Sequence, residues 1–151
     1  MTLLRTAVAA VLLTASAAQA ALVETPLPFK VGDTDFASVL IHDDAKPASR
    51  AILLTPNWMG INEANLKQAR LVAAMGYTVY VVDMYGKDVR PANTDEAGKA
   101  AGAVKGDTPA MRARINQALT TLLAQTQVPV DPKRVGAIGF WQMQGTRRRA
   151  Q

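Results

Sequence analysis

The 151-residue sequence contains no cysteine. No disulfide can form within it, and neither a cysteine metal site nor a thiol nucleophile is available. It has one histidine, His42, and 5% aromatic residues. Long apolar runs are scarce. The best, residues 7–13, is far shorter than the roughly 20 residues that cross a bilayer. An excess of one charge is also lacking once position is considered. The formal charge is +5, but Arg5 lies at the start and Arg147, Arg148 and Arg149 lie at the end. Between them stand thirteen basic and twelve acidic residues. With no basic stripe and no aromatic platform beside one, nucleic acid is not an expected partner.

Residues 1–20 follow the grammar of a secretory signal. Arg5 precedes the apolar run, and small residues lead to Ala18, Gln19 and Ala20, an A-x-A cleavage site. The expected location is therefore exported, periplasmic or secreted, with no membrane contact after cleavage. The remaining residues are enough for one ordinary core.

The core begins after a stretch, residues 21–35, that reads as extended and turn-like because of Pro26, Pro28 and Gly32. Residues 36–42 alternate and carry β-branched side chains, as a strand does. Residues 51–55, "AILLT", form a continuous apolar run, the mark of a strand covered on both faces. Asn62 is placed to cap a helix over about 63–75, with Gly76 as its left-handed stop. Residues 77–85 are rich in β-formers. Residues 86–107 read as weakly structured: Asn93 and Glu96 could start a short helix, but Gly98, Gly102 and Gly106 weaken it. Thr108 and Pro109 open the clearest helix, over 109–127, whose apolar stripe is Met111, Ile115, Leu119, Leu122 and Leu123. A turn over 130–134 precedes a last strand over 135–140. Strands alternating with helices predict an α/β fold with a mostly parallel sheet and flanking helices. Ligand loops then fall at the carboxyl ends of the strands, at 56–60, 83–87 and 139–145.

The third of these loops raises a chemical question. A nucleophile elbow has the form G-x-Nu-x-G, because the strained strand-to-helix turn needs small residues. Here Gly139, Phe140, Trp141, Gln142 and Met143 fill those places. The first glycine is present, but the nucleophile position holds Trp141, whose indole cannot attack a carbonyl. His42 precedes the elbow, whereas a triad in this fold runs nucleophile, acid, histidine. It is expected to be an exposed histidine at a strand end.

From about residue 51 to Phe140, the chain resembles the dienelactone hydrolase family of α/β-hydrolases. The resemblance is carried by "AILLTPNWMGINEANLKQARLVAAMGYTVYVVDMYG" and by "DPKRVGAIGF", which leads into that family's G-F-C-x-G-G elbow. It implies hydrolysis of a carboxylic ester or lactone by a Cys (or Ser)-His-Asp triad, with no metal or organic cofactor. It also implies that the backbone N–H groups of Trp58 and Gln142 form the oxyanion hole. Asn57 falls where many relatives carry a glutamate that interacts with the nucleophile. Lys87 falls near a basic residue that relatives use to hold a substrate carboxylate, though lysine lacks arginine's bidentate fork. Each has a plainer reading. Trp58 can be a packed loop aromatic, and Lys87 a solvated surface lysine. Asp83 is expected to satisfy loop amides rather than to act as an acid or base.

The agreement stops at Phe140. "WQMQGTRRRAQ", residues 141–151, has no helical stripe, although an elbow should lead into a buried helix. The expectation is a reading-frame shift near residue 141. Residues 21–140 would then be the N-terminal part of the domain, with the C-terminal half missing, and residues 141–151 an aberrant basic tail. Such a truncated chain would lack the triad and be inactive, and its unpaired sheet edge would make it prone to aggregate. The alternative is a non-enzymatic exported protein that binds a small anion or a partner through loops 56–60 and 83–90. Nucleotide binding is weaker, since "TPNWMG" is not G-x-G-x-x-G.

Overall fold

The computed structural model describes residues 22–45 and 47–140. The proposed signal segment, Trp141, Gln142 and the basic tail lie outside the described residues. The elements run β1 (Leu22–Pro26), β2 (Phe29–Val31), β3 (Thr34–Phe36), β4 (Val39–Asp43), β5 (Ala51–Thr55), α1 (Glu63–Ala74), β6 (Thr78–Val81), α2 (Thr94–Gly106), α3 (Thr108–Ala124) and β7 (Val135–Gly139). A single 3₁₀ turn, Pro132–Arg134, leads into β7. Five strands form one sheet in the order β1-β4-β6-β5-β7, and β2 and β3 make a separate hairpin.

The α/β architecture is the one the sequence predicts. Strands β6, β5 and β7 run parallel, while β4 is antiparallel to both of its neighbours, β1 and β6. Side-chain alternation divides each central strand between two apolar layers. Ile41, Leu54, Val79 and Val81 pack with Ala69 and Ala73 of α1. Leu40, Leu53, Tyr80 and Val82 face the other way, toward Ala118 and Leu122 of α3 and the stacked Phe29 and Phe36 of the hairpin. Small residues let α1 lie close to the sheet, and Arg70 on its outer side pairs with Glu24 of β1 and with Glu63.

Several boundaries differ from the expectation. The strand read over 36–42 starts only at Val39: Phe36 ends β3, and residues 37–38 separate it from β4. Residues 21–35 hold three strands that prolines and a glycine conceal: Pro26 ends edge strand β1, and Gly32 takes φ +56° in the hairpin turn. Helix α2 is a full 13 residues. Asn93 caps it by accepting from the Glu96 N–H at 3.0 Å, and Glu96 in turn accepts from the Ala92 N–H at 2.9 Å. For α3 the cap is Asp107, not Thr108: its carboxylate accepts from the Ala110 N–H at 2.9 Å. Leu123, assigned to the α3 stripe, is exposed, because Ala118 and Leu122 set the buried face.

His42 is a further correction. It is only 6% exposed, since β4 lies inside the sheet and His42 pairs in register with Val23 of the unforeseen strand β1. Its Nδ1 has no hydrogen-bond partner among the described residues. The outer edge of β7 presents a different picture: Ile138 is 38% exposed, and among the described residues the strand pairs only with β5.

Candidate functional site

The carboxyl ends of β5, β6 and β7 converge, as parallel strands require. Strand β5 ends at Thr55 and turns through 56–60. The Gly60 N–H donates to the Asn57 carbonyl at 2.9 Å, closing the turn, and Gly60 takes the φ of +69° that such a turn reserves for glycine. A Cβ at Gly60 would also stand 3.1 Å from the Tyr85 ring.

This geometry orients one backbone amide. The peptide joining Asn57 to Trp58 is planar and trans, so its N–H points opposite its carbonyl. The carbonyl is fixed by Gly60. The Trp58 N–H therefore projects away from the turn, and among the described residues it has no acceptor. The next peptide is fixed as well, because the Tyr85 hydroxyl donates to the Trp58 carbonyl at 2.7 Å. A second clamp comes from α1. The Asn65 side-chain amide, itself buried, donates to Asn57 Oδ1 at 2.9 Å and to the Gly60 carbonyl at 2.7 Å. Asn57 Oδ1 also accepts from the Met59 N–H at 3.0 Å. Asn57 is thus occupied in shaping its own turn, and its oxygen faces donors rather than a reacting group.

Strand β7 arrives alongside. The Phe140 N–H donates to the Thr55 carbonyl at 3.0 Å, and a Cβ on Gly139 would lie 3.0 Å from Thr55 Oγ1. Glycine at 139 is what allows the end of β7 to come this close to the start of the 56–60 turn. The position assigned to the nucleophile, Trp141, follows directly in the chain; it and Gln142 lie outside the described residues.

Asp83 satisfies loop amides, as expected from its place at a strand end. It is buried, accepts from the N–H groups of Tyr85, Gly86 and Ala37 at 3.0–3.1 Å, and pairs with Arg90 at 3.0 Å. Lys87 is exposed, and its Nζ pairs with Asp35 of β3 at 3.0 Å. That contact raises the lysine pKa and lowers the carboxyl's. Lys87 does not line the cleft described next.

A cleft of about 550 Å³ opens over the 56–60 turn. One wall is the turn itself with Met84 and Tyr85. The other is α2 from Gly98 to Lys105 and the first turns of α3, with Met111, Arg112 and Ile115. The Trp58 indole lies beside α2, with Cζ3 3.9 Å from where a Gly98 Cβ would be. Trp58 is therefore both a packed loop aromatic and the bearer of the projecting amide. Met111, assigned to the core stripe, instead lines this cleft. Asn65, Tyr85, Arg112 and Lys105 had no sequence signal: their roles depend on which loops and helices meet. Among the described residues no cluster of His, Asp or Glu could hold a metal ion, and no helix is long and apolar enough to cross a membrane.

Comparison with known proteins agrees with this fold. Two similar solved structures are a dienelactone hydrolase-like promiscuous phosphotriesterase from metagenomic libraries, 26% identical with a TM-score of 0.71, and a protein called m3DLH, 28% identical with a TM-score of 0.71. They cover 81% and 80% of this chain. A dienelactone hydrolase from Klebsiella pneumoniae subsp. pneumoniae, described only as presumed, shares 13% identity at a TM-score of 0.63 and supports the fold alone. The chain spans 50% of the length of each of these structures. No curated protein matches its sequence. The model of the dienelactone hydrolase family matches residues 36–142, and the chain belongs to that family.

Proposed function

We propose that the complete domain represented by this chain hydrolyses a carboxylic ester or lactone, with the Trp58 N–H as one oxyanion donor and the residue 142 N–H as the other. In such a reaction the nucleophile bonds to the acyl carbon, the alcohol leaves with a proton, and water then releases the acid. The observation that carries this reading is the Trp58 amide, whose flanking carbonyls are held by Gly60 and Tyr85 in a turn that starts beside Thr55, where Phe140 at the end of β7 docks. A donor fixed before reaction stabilises developing charge without reorganising.

We further propose that the elbow of this sequence is catalytically incompetent, with a frame change near residue 141. The support is chemical. Trp141 stands at the nucleophile position, there is no cysteine, and the one histidine precedes the elbow and is buried in β4. Without a nucleophile-base unit, only weak oxyanion and binding effects remain. Residues 1–20 would direct export. The test is hydrolysis of p-nitrophenyl acetate by the purified full chain. The expected result is no turnover above buffer and no acylated protein by mass spectrometry. A stoichiometric acyl adduct would overturn the incompetence. Sequencing the DNA beyond the codon for Phe140 tests the frame change: a second frame that resumes with a cysteine or serine elbow supports it.

A further inference from the structure

The Tyr85 hydroxyl holds the Trp58 carbonyl, and the loop after β6 holds Tyr85. That loop is organised from its two ends. At its start Asp83 Oδ1 accepts from the Tyr85 N–H at 3.0 Å and from the Gly86 N–H at 3.1 Å. Asp83 Oδ2 accepts from the Ala37 N–H and from Arg90 Nη2, each at 3.0 Å. The Asp83 N–H donates to Ser38 Oγ at 2.8 Å, so the carboxylate is anchored to the link between β3 and β4. At the far end Arg90 Nη1 donates to the Gly86 carbonyl at 2.7 Å and to the Val89 carbonyl at 2.8 Å.

One guanidinium therefore spans the loop. It meets the charge of a buried carboxylate, which is costly to leave unpaired, and it ties down two carbonyls with the same fork. The backbone on both sides of Tyr85 is fixed as a result. The Tyr85 ring then lies against Gly60 and its hydroxyl meets the Trp58 carbonyl. Neither Asp83 nor Arg90 lines the cleft over the 56–60 turn. Lys87 of the same loop makes an exposed pair with Asp35 and has no such reach.

We propose that Asp83 and Arg90 are positioning residues for the Trp58 amide, acting through Tyr85. Their bearing on catalysis rests on the ester-hydrolase reading; the coupling of loop to turn does not.

The test is native-state hydrogen exchange on the full chain. Arg90→Gln is expected to speed exchange at Met59 and Gly60 about tenfold, the order of one charge-assisted hydrogen bond, with Thr78–Val81 of β6 unchanged. In a Tyr85→Phe background the same substitution should add less than about twofold, because the route through the hydroxyl is already cut. Arg90→Lys keeps the counter-charge and loses the fork, so its exchange should fall between the unmutated chain and Arg90→Gln. Lys87→Gln should change neither amide. In the unmutated chain, Tyr85 and Gly86 should open with the same free energy as Met59 and Gly60 across a denaturant series, which tests the linkage even if a variant folds poorly. Unchanged exchange at Met59 and Gly60 in Arg90→Gln would overturn the proposal. So would the full effect persisting in the Tyr85→Phe background, separate opening of loop and turn in the unmutated chain, or an equal rise in β6. Failure of the hydrolase reading appears separately, in the p-nitrophenyl acetate assay.

Discussion

Asn65→Ala should loosen the 56–60 turn while leaving the sheet intact. Asn65 Nδ2 makes two hydrogen bonds, to Asn57 Oδ1 and to the Gly60 carbonyl. Each is worth about 1 kcal/mol net, and a buried carbonyl left without its donor costs about 1–3 kcal/mol. Two effects oppose this. Asn65 Oδ1 is itself buried without a partner among the described residues, so removing it relieves a penalty of similar kind. Alanine also favours the helix over asparagine by several tenths of a kcal/mol. The turn should therefore lose about 1–2 kcal/mol, a factor of about 5–30 in its opening equilibrium, while α1 loses nothing.

Native-state hydrogen exchange separates these outcomes, because it reads local opening residue by residue. In the unmutated chain the Met59 and Gly60 amides should be protected by Asn57, and the Trp58 amide, with no acceptor, should exchange fastest of the three. In Asn65→Ala, Met59 and Gly60 should exchange faster by about 5–30-fold, with Thr78–Val81 of β6 unchanged. Unchanged exchange at Met59 and Gly60 would refute the clamp. An equal rise in the turn and in β6 would mean that Asn65 supports the whole domain instead.

Other perturbations follow from the same structure. Gly60→Ala should cost more than the roughly 1 kcal/mol of a left-handed alanine, because its Cβ also meets the Tyr85 ring at 3.1 Å; a lowered thermal midpoint checks it, and Gly102→Ala, where no atom lies within 4 Å, should be neutral or stabilising. Burial pushes the Tyr80 pKa up to about 12, against the opposing Ser38 hydrogen bond. Its folded pKa exceeds the unfolded value near 10, so its contribution is intact below about pH 10 and is lost as pH rises toward 12; phenolate absorbance should show a late step that Tyr80→Phe removes. Ile138→Lys, on the open edge of β7, should reduce light scattering of the concentrated chain, since a charged edge discourages strand pairing; unchanged scattering would point to another surface.

How much of this could be read in the sequence depended on whether the signal was local. Strand β5 matched at both ends because "AILLT" is apolar up to Thr55, as suits a strand whose Leu54 packs with α1 and Leu53 with α3. Helix α1 was bounded by residues whose chemistry acts within one turn, Asn62 accepting from the Asn65 N–H and Gly76 at φ +87°. Helix α2 was underread because its three glycines disfavour helix locally. Its capping residues and the buried Ala97 oppose that cost, and Gly98 gains from its place beside the Trp58 indole. The burial of His42 was misread for a related reason: it depends on β1, whose proline and polar residues hide a strand that only the register with β4 reveals.

The candidate site divides along the same line. Trp58 could be singled out because the 56–60 turn is a contiguous stretch whose pattern carries the family resemblance. What orients its amide could not be read there. That requires Tyr85 from the loop after β6 and Asn65 from α1, residues 27 apart from Trp58 and 8 apart from Asn57 in sequence. A backbone N–H has no identity of its own in a sequence; its direction is set by the groups that hold the adjoining carbonyls. The orientation of the Trp58 amide would survive substitution of the Trp58 side chain more readily than loss of Tyr85 or Asn65. Trp58→Phe should thus keep the protection of Met59 and Gly60, whereas Tyr85→Phe, which removes only one hydroxyl, should reduce it. The opposite ranking would place the indole against α2, rather than the hydrogen-bond frame, in control of the turn.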